Sequence, residues 1–206
     1  MSIQQLLNAI IRQDDYPLLN SALLDKGSTK VVKAGQFLFR QGDHPGQLSV
    51  VLTGWVEFSY IDLEGNYVIV ERTTAGQWYG DGNFVDGQAV PYSALVLNDV
   101  TVLSLPHPLI RADKKLEAEV YRLIANNAVA RLRIMYRKFD SIATLPIEQR
   151  ILERLEQLQG ASNVVEITHD ELASYIGTSR HKVSRAMKRL DNDNKINQLY
   201  KKVEII

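Results

Sequence analysis

The chain has 206 residues with 24 Lys and Arg against 24 Asp and Glu, and it contains no cysteine. Disulfides, zinc sites with thiolate ligands and cysteine-ligated iron–sulfur clusters are therefore excluded, and the length allows one large domain or two modest ones. No apolar run approaches the roughly 20 residues that span a bilayer, and the N-terminus lacks a signal-peptide pattern, so a soluble, cytoplasmic protein without a membrane partner is predicted.

The net charge of zero hides an uneven distribution along the chain. Residues 1–110 carry 6 basic against 11 acidic residues, whereas residues 168–206 carry 8 basic against 5 acidic ones. Residues 111–144 are also basic, with 8 against 4. Because phosphate is repelled by the acidic part and attracted by the basic parts, a polyanionic partner is expected at the second half of the chain.

The first half predicts a β domain that follows a helical start. Residues 3–24 favour one or two short helices, and from Ser28 on the pattern changes to short apolar strands separated by turn residues such as Gly42 and Gly54. Strands at intervals of about 8–12 residues are typical of a sandwich or barrel. The prolines on either side of His107 end this region, so a first domain is predicted over residues 1–107.

A long helix is predicted next, from residue 109 to about residue 142, because no proline or glycine interrupts that stretch. Residues spaced alternately four and three apart along it form a heptad seam. This seam is the predicted dimer interface: Leu116, Val120, Leu123, Asn127, Ala130 and Ile134. A polar residue in such a seam, here Asn127, fixes the register of the two helices at some cost in stability.

The same helix has a second apolar edge, formed by Leu132, Met135 and Phe139. A helix with two apolar faces must bury both of them, and the simplest arrangement places one face against the β domain and the other against a partner chain. Residues 108–143 are therefore predicted to be the dimerisation helix of a homodimer.

A helix-turn-helix unit is predicted over residues 167–196. Pro146 ends the long helix, and a shorter helix follows from Ile147 before this unit begins. Thr168 and Glu171 have the spacing of a capping box at the start of its first helix. Gly177 ends that helix, and the turn of only Gly-Thr-Ser predicts the steep crossing of a helix-turn-helix.

The second helix of this unit carries five basic residues between Arg180 and Arg189 and no acidic one. A run of charge is usually only a solvated face. Here, however, the basic and hydroxyl side chains begin at the helix N-terminus, the end that enters the major groove of DNA. The predicted DNA-binding residues are Thr168, Ser179, Arg180, His181, Lys182, Ser184, Arg185 and Lys188. A terminal hairpin completes a winged helix-turn-helix domain over residues 144–206.

A β domain, a long helix and a winged helix-turn-helix follow one another along this chain. This order resembles that of the Crp/Fnr family of bacterial transcription regulators over nearly the whole chain. The matching C-terminal residues are Ile167, Thr168, Glu171, Gly177, Ser179, Arg180, Val183 and Arg185. The matching N-terminal residues are Lys33, Ala34, Gly35, Gly42, Asp43, Gly54, Glu64 and Gly65.

The resemblance implies an α+β fold with a jelly-roll, cyclic-nucleotide-binding-like sensor domain, a dimerisation helix and a winged helix-turn-helix. It further implies a dimer that binds double-stranded DNA at a near-palindromic operator and acts on RNA polymerase. By this likeness, Arg180 and Arg185 contact base edges or flanking phosphates. His181 and Lys182 stand where cyclic-AMP receptors carry glutamate and threonine, so a different operator sequence is expected.

The resemblance also locates an effector pocket at Gly80, Asp81, Tyr92 and Ser93. The family uses a Gly-Glu pair for the ribose and an arginine before Ser or Thr for the cyclic phosphate. Tyr92 has no positive charge and leaves a buried phosphate largely uncompensated, which costs several kcal/mol. A filled, inert pocket and a pocket for a less charged, small-molecule effector are about equally favoured, and an atypical cyclic-nucleotide site ranks third.

No cofactor, metal or catalytic activity is predicted. Haem needs an axial ligand, and His44 and His107 lie beside prolines, where surface positions are expected. A cupin-like enzyme, which shares the jelly roll, needs closely spaced histidines such as His-x-His together with a carboxylate. The four histidines of this chain are isolated from one another.

Overall fold

The computed structural model describes residues 1–160 and 162–206. Packing divides the chain into two units, one formed by Met1–Asn66 and Val70–Val129 and the other by Tyr67–Ile69 and Ala130–Ile206. Both units contain helices and strands, and in the first the strands form a group that only one short helix interrupts, which confirms the α+β class. Within the described ranges, no helix combines the length and the apolar character that crossing a bilayer requires.

The N-terminus forms two short helices, as predicted: α1, Ile3–Ile10, and α2, Pro17–Lys26. Ser2 caps α1, since its hydroxyl accepts from the Gln5 backbone N–H at 3.2 Å while the Gln5 side chain accepts from Ser2 N–H at 2.8 Å. This reciprocal capping box satisfies two donors that the first helical turn leaves without an intrahelical partner.

The β region, which belongs to the first unit apart from Tyr67–Ile69, is the predicted sandwich. Its two antiparallel sheets have the strand orders β1-β8-β3-β6 and β2-β7-β4-β5. A short helix α3, Asp81–Asp86, follows β6. The strands are β1 Ser28–Val32, β2 Phe37–Phe39, β3 Gln47–Thr53, β4 Val56–Ile61, β5 Tyr67–Thr73, β6 Trp78–Tyr79, β7 Ser93–Val96 and β8 Val100–Pro106.

The long helical stretch differs from the prediction at its start. A short helix α4, His107–Arg111, is followed by a break, and the long helix α5 is Lys114–Thr144. At the break, the Asp113 carboxylate accepts from the backbone N–H groups of Lys115 at 2.9 Å and Leu116 at 3.3 Å. The prediction of one uninterrupted helix from residue 109 is wrong because this side chain caps the start of a new helix.

Period-two alternation along β3 gives the sandwich unit two cores. Leu48, Val50 and Leu52 belong to a core that also contains residues of the N-terminal helices and of α5. Val51 belongs to the other core, which lies between the two sheets. Successive side chains of a strand point to opposite faces, so β3 separates the two cores.

The second unit is a winged helix-turn-helix. Its helices are α6 Ile147–Leu158, α7 His169–Ile176 and α8 Arg180–Asn192. Its strands β9 Val164–Glu166, β10 Ile196–Leu199 and β11 Lys202–Ile205 form a sheet in the order β10-β11-β9. The terminal hairpin was predicted and β9 was not. One core joins all three helices to this sheet.

Candidate DNA interface, dimer face and effector pocket

The first helix of the helix-turn-helix begins and ends as its sequence predicts. Thr168 Oγ1 accepts from the Glu171 backbone N–H at 3.2 Å, and Glu171 Oε2 accepts from Thr168 N–H at 3.0 Å. Gly177 ends α7 with φ of 63°, in the left-handed region that glycine occupies without steric cost. The Thr168 hydroxyl, predicted to contact DNA, is therefore already engaged in the cap of α7.

Helix α8 presents the predicted DNA-binding side chains on one exposed surface. Ser179 caps it by accepting from the Lys182 backbone N–H at 3.4 Å. Its inner face is buried through Val183, Ala186, Met187 and Leu190, which anchor the helix in the core of the unit. The exposed residues on the other face are Arg180, His181, Lys182, Ser184, Arg185 and Lys188.

Two basic residues of α8 form ion pairs with other helices of the unit. Arg180 Nε lies 3.4 Å from Asp170 Oδ2, and both side chains are more than two-thirds exposed. Arg189 binds Glu148 of α6. The pKa of Glu148 is lowered by a hydrogen bond from the Glu148 backbone N–H and by the nearby Arg189. The Arg189–Glu148 ion pair therefore connects α8 to α6, whereas the Arg180–Asp170 pair is exposed and contributes little to stability.

The tip of the wing adds Tyr200 and the basic residue Lys201, neither of which the sequence predicts as a DNA-binding residue. Tyr200 and Lys201 form the tip of the β10–β11 hairpin, Lys201 has φ of 54°, and Tyr200 is 87% exposed. A groove of about 380 Å³ runs between this hairpin and the starts of α7 and α8, and its lining includes Arg180 and Lys201. Because lysine is not a residue type that favours positive φ, the sequence carries no turn signal that locates this tip.

The residues of the predicted dimer seam mostly face the sandwich unit instead of solvent, so the predicted dimer interface has to be corrected. Leu116, Val120 and Leu123 are at most 5% exposed and belong to the core shared with the N-terminal helices. Asn127 lines a cavity of the same unit. Only Ala130 is exposed, and Ile134 is half-buried. The two faces of the helix carry the same heptad period, so the period did not reveal which face meets the chain's own core.

The other face of α5 carries an exposed apolar stripe. Leu132, Met135 and Phe139, the predicted second edge, are 48%, 64% and 70% exposed. Three more exposed residues extend this edge at the same spacing of three and four. We call this set the exposed stripe: Ala125, Ala128, Leu132, Met135, Phe139 and Ile142.

Gly80 and Asp81 lie at the start of α3, where the chain makes a tight approach to β3. Gly80 has φ of 77°, and a Cβ atom there would lie 2.0 Å from the Gln47 carbonyl oxygen. Only glycine fits this position. Asp81 is 6% exposed, and its Oδ1 accepts from the Gly82 backbone N–H at 3.0 Å. The acidic side chain of the predicted pocket is therefore buried.

Tyr92 is partly buried and packs with other aromatic side chains against the core between the two sheets. Its ring centroid lies 5.8 Å from that of Phe39 and 5.5 Å, edge-on, from that of Phe58. Phe39 also contacts Tyr79, with 5.1 Å between ring centroids. Ser93 Oγ accepts from the Gln41 backbone N–H at 2.9 Å. At these distances the Tyr92 ring makes favourable aromatic contacts with Phe39 and Phe58.

His107 is partly buried, contrary to the expected surface position. Its ring packs on Phe84 with 5.0 Å between centroids, and its Nε2 atom is buried without a hydrogen-bond partner among the described residues. Burial lowers the pKa of this imidazole. In residues 1–160 and 162–206, no three His, Asp or Glu side chains are grouped so that they could hold a metal ion.

Comparison with known proteins places both units in characterised families. Residues 29–112 match the cyclic nucleotide-binding domain, and residues 149–206 match the Crp-like helix-turn-helix domain. The chain is 31% identical to the Cyclic AMP receptor protein of Thermus thermophilus over 166 residues, which cover 76% of this chain and 73% of the relative. It is 26% identical to the transcriptional regulator SdrP of the same organism over 164 residues, covering 76% and 77%.

Solved structures share the fold. A CRP/FNR family transcriptional regulator from Thermus thermophilus superposes with a TM-score of 0.69 at 25% identity, covering 87% of this chain and 93% of that one. The c-di-GMP responsive global regulator CLP of Xanthomonas campestris superposes with a TM-score of 0.76 at 19% identity, covering 91% and 97%, which is a likeness of fold alone.

A cyclic-nucleotide-binding fold followed by a long helix and a winged helix-turn-helix defines a class of DNA-binding transcription regulators. The chain belongs to the Crp/Fnr family of these regulators. The resemblance that its sequence motifs indicate is thereby confirmed, together with the fold class. The relatives are transcription regulators, so the cupin-like enzyme is set aside.

Proposed function

We propose that the protein binds a near-palindromic operator in double-stranded DNA as a homodimer, with one α8 in the major groove of each half-site. The observation that carries this proposal is the exposed basic face of α8, held in place by four buried residues of the same helix. Phosphate contacts would fix the position of the helix, and side chains near its N-terminus would reach base edges.

The side chains of α8 divide into two roles. Arg180, His181 and Arg185 are placed to read bases, and an arginine that binds guanine bidentately contributes about 1–3 kcal/mol of discrimination. Lys182 is assigned to bases or to flanking phosphates. The remaining predicted residues are assigned to phosphate: Thr168 through the N-terminus of α7, and Ser179, Ser184 and Lys188 through their side chains.

Homodimerisation is assigned to the exposed stripe of α5. Its six residues repeat at the spacing of a coiled-coil seam, and four of them are large apolar side chains in contact with water. Two copies of the stripe would cover each other along a parallel pair of helices. The assignment replaces Leu116, Val120 and Leu123, which the core of the sandwich unit already covers.

The domain limits proposed for this regulator are residues 1–107 for the sensor, 108–143 for the dimerisation helix and 144–206 for the DNA-binding domain. RNA polymerase is the proposed protein partner, because a regulator bound at an operator acts on transcription through it. Cyclic AMP is not the proposed effector: Tyr92 supplies no charge for the cyclic phosphate, and aromatic rings surround it.

Selection of bound sequences from a random DNA pool tests the proposal. The purified protein is used at one stated salt concentration, with and without cyclic AMP. We expect a palindrome to be enriched equally in both conditions, with half-sites that differ from those of a cyclic-AMP receptor. Enrichment only with cyclic AMP would contradict the inference that Tyr92 prevents binding of this nucleotide. An enriched site without symmetry would contradict the proposal that the protein binds DNA as a homodimer.

A further inference from the structure

One ion pair lies on the surface that the regulator is proposed to present to DNA. Arg180, at the start of α8, places its Nε atom 3.4 Å from Oδ2 of Asp170, in the first turn of α7, and the two side chains are 69% and 74% exposed. Both residues line the groove between the wing and the starts of these two helices. An exposed pair of this kind adds little to the stability of the fold. We therefore consider what it does to the DNA-binding role of Arg180.

Asp170 is an acidic residue on a surface of otherwise positive charge. Among the lining residues of this groove that the structure describes, Arg180, Lys201 and Lys202 are basic and only Asp170 is acidic. Phosphate is attracted by the three basic groups and repelled by the carboxylate. The capping box already fixes the start of α7, so the helix does not depend on this carboxylate alone. An acid here therefore reduces binding to the DNA backbone in general.

The direction of the contact leaves the other edge of the Arg180 guanidinium open to a ligand. This group is planar and carries five N–H donors in a fixed fork. Asp170 lies at its Nε edge, so the hydrogens of Nη1 and Nη2 that point away from Nε can still be donated to a pair of acceptors. In the major groove of DNA, O6 and N7 of guanine form such a pair, and arginine binds them bidentately.

We propose that Asp170 is a positioning residue for base recognition, which holds the Arg180 side chain so that Nη1 and Nη2 bind O6 and N7 of a guanine. The inference rests on the proposed base-reading role of Arg180. A long arginine side chain loses rotamer freedom when it binds, and a carboxylate that already restricts it reduces this entropic cost. DNA excludes water from the pair, which strengthens the attraction between the two charges in the complex.

The carboxylate raises specificity in two ways. Positioning of Arg180 strengthens binding to the correct base, and repulsion of phosphate weakens binding to all other DNA. Both effects increase the ratio of operator affinity to non-operator affinity. Asp170 is therefore a specificity-determining residue although it is assigned no base contact of its own.

Binding to single-base variants of the selected operator tests the positioning role. Arg180→Ala first identifies the guanine, as the position at which this variant loses discrimination. Fluorescence anisotropy at one salt concentration then compares the unsubstituted protein with Asp170→Asn, which keeps the size of the side chain and removes its charge. We expect discrimination at that guanine to fall about tenfold, with unchanged discrimination elsewhere, and affinity for non-operator DNA to rise about threefold.

Two controls separate positioning from a general effect of charge. In the Arg180→Ala background, Asp170→Asn should still raise the affinity for non-operator DNA and should leave discrimination at the guanine position unchanged. Asp193→Asn, at the C-terminal end of α8, removes the same charge from the other end of the helix. This variant should keep full discrimination at every position.

Three results would overturn the proposal, and they are distinguishable. Higher affinity for all DNA with full discrimination at the guanine would mean that Asp170 acts only by repulsion. Loss of discrimination spread evenly over all positions would mean that the start of α7 is displaced. If Arg180→Ala itself loses no discrimination at any position, the base-reading role of Arg180 in the proposed function fails, and the positioning role fails with it.

Discussion

Helix α8 and the region around Tyr92 differ in how far their candidate functional side chains are exposed to solvent. On α8 the basic and hydroxyl side chains are exposed, and only apolar residues face the core. Around Tyr92, aromatic rings pack on one another, and the acidic residue at the start of α3 is buried. One region is open to a large polyanion, and the other is occupied by the protein's own side chains.

This difference indicates that the DNA-reading part follows the family's chemistry more closely than the sensing part does. A recognition helix can bind DNA only if its polar side chains are exposed, and packing in the core does not compete with that role. A ligand pocket and a hydrophobic core compete for the same interior space. Because aromatic pairs stabilise the fold, filling the pocket adds stability once no anion has to be bound.

The largest predicted effect concerns the two faces of α5. Met135→Glu in the exposed stripe should dissociate the dimer, because two buried like charges would face each other across the seam. Operator affinity should fall about 100-fold or more, since the second DNA-binding unit loses the advantage of being tethered to the first. Sedimentation and DNA anisotropy measure the two effects. Arg137→Glu, on the opposite side of the helix, serves as a control that should remain dimeric.

The inner face of α5 should respond differently. Leu116 is buried in the core of the sandwich unit, so Leu116→Ala should lower the free energy of unfolding by about 2–5 kcal/mol and leave dimerisation intact. Denaturant unfolding and sedimentation of the same variant test this. Dissociation of the dimer without loss of stability would restore the seam that the heptad pattern first suggested and contradict the exposed stripe.

On α8, two substitutions should separate base reading from phosphate binding. His181→Ala should relax specificity at one or two base positions, because an exposed imidazole near the helix N-terminus is placed to reach base edges. Lys188→Ala should weaken all sequences alike and reduce the salt dependence of binding by about one phosphate contact. Competition binding against single-base operator variants distinguishes them. Uniform loss in both variants would contradict the groove assignment.

Local signals in the sequence predicted most of the helix-turn-helix. Thr168 and Glu171 specify a capping box within four residues, and Gly177 marks the end of α7, so the interactions that form these elements are all short-range. The break before α5 was missed, although it is also local, because an aspartate caps a helix only when its carboxylate competes successfully with continuation of the preceding helix.

Long-range packing accounts for the other differences. Phe39, Phe58 and Tyr92 are far apart in the sequence and meet only when the two sheets close, so their aromatic packing has no local signal. The same holds for β9, which is only three residues long and is stabilised by pairing with β11. Which face of α5 stays exposed depends on which of its two apolar faces packs against the N-terminal helices.

Cyclic AMP should have little effect on the sandwich unit. At 1 mM, we expect it to raise the melting temperature by less than about 2 °C, since a ligand whose Kd exceeds its concentration adds less than about 0.4 kcal/mol. The Cyclic AMP receptor protein of Thermus thermophilus is the positive control. Tyr92→Phe keeps the aromatic packing and should behave like the unsubstituted protein. A saturable shift would show that the rings around Tyr92 make room for the nucleotide.

The smallest predicted effect comes from His107. Because burial lowers the pKa of His107 in the folded protein, the unfolded chain binds the additional proton first as the pH falls. The contribution to stability is therefore fully present above the ordinary pKa of about 6.5 and is lost as the pH falls below it. Urea unfolding between pH 7.5 and 5.5 should show this loss, and His107→Gln should reduce the slope. Equal slopes in both proteins would mean that other groups cause the pH dependence and that the burial of His107 has no energetic consequence in this range.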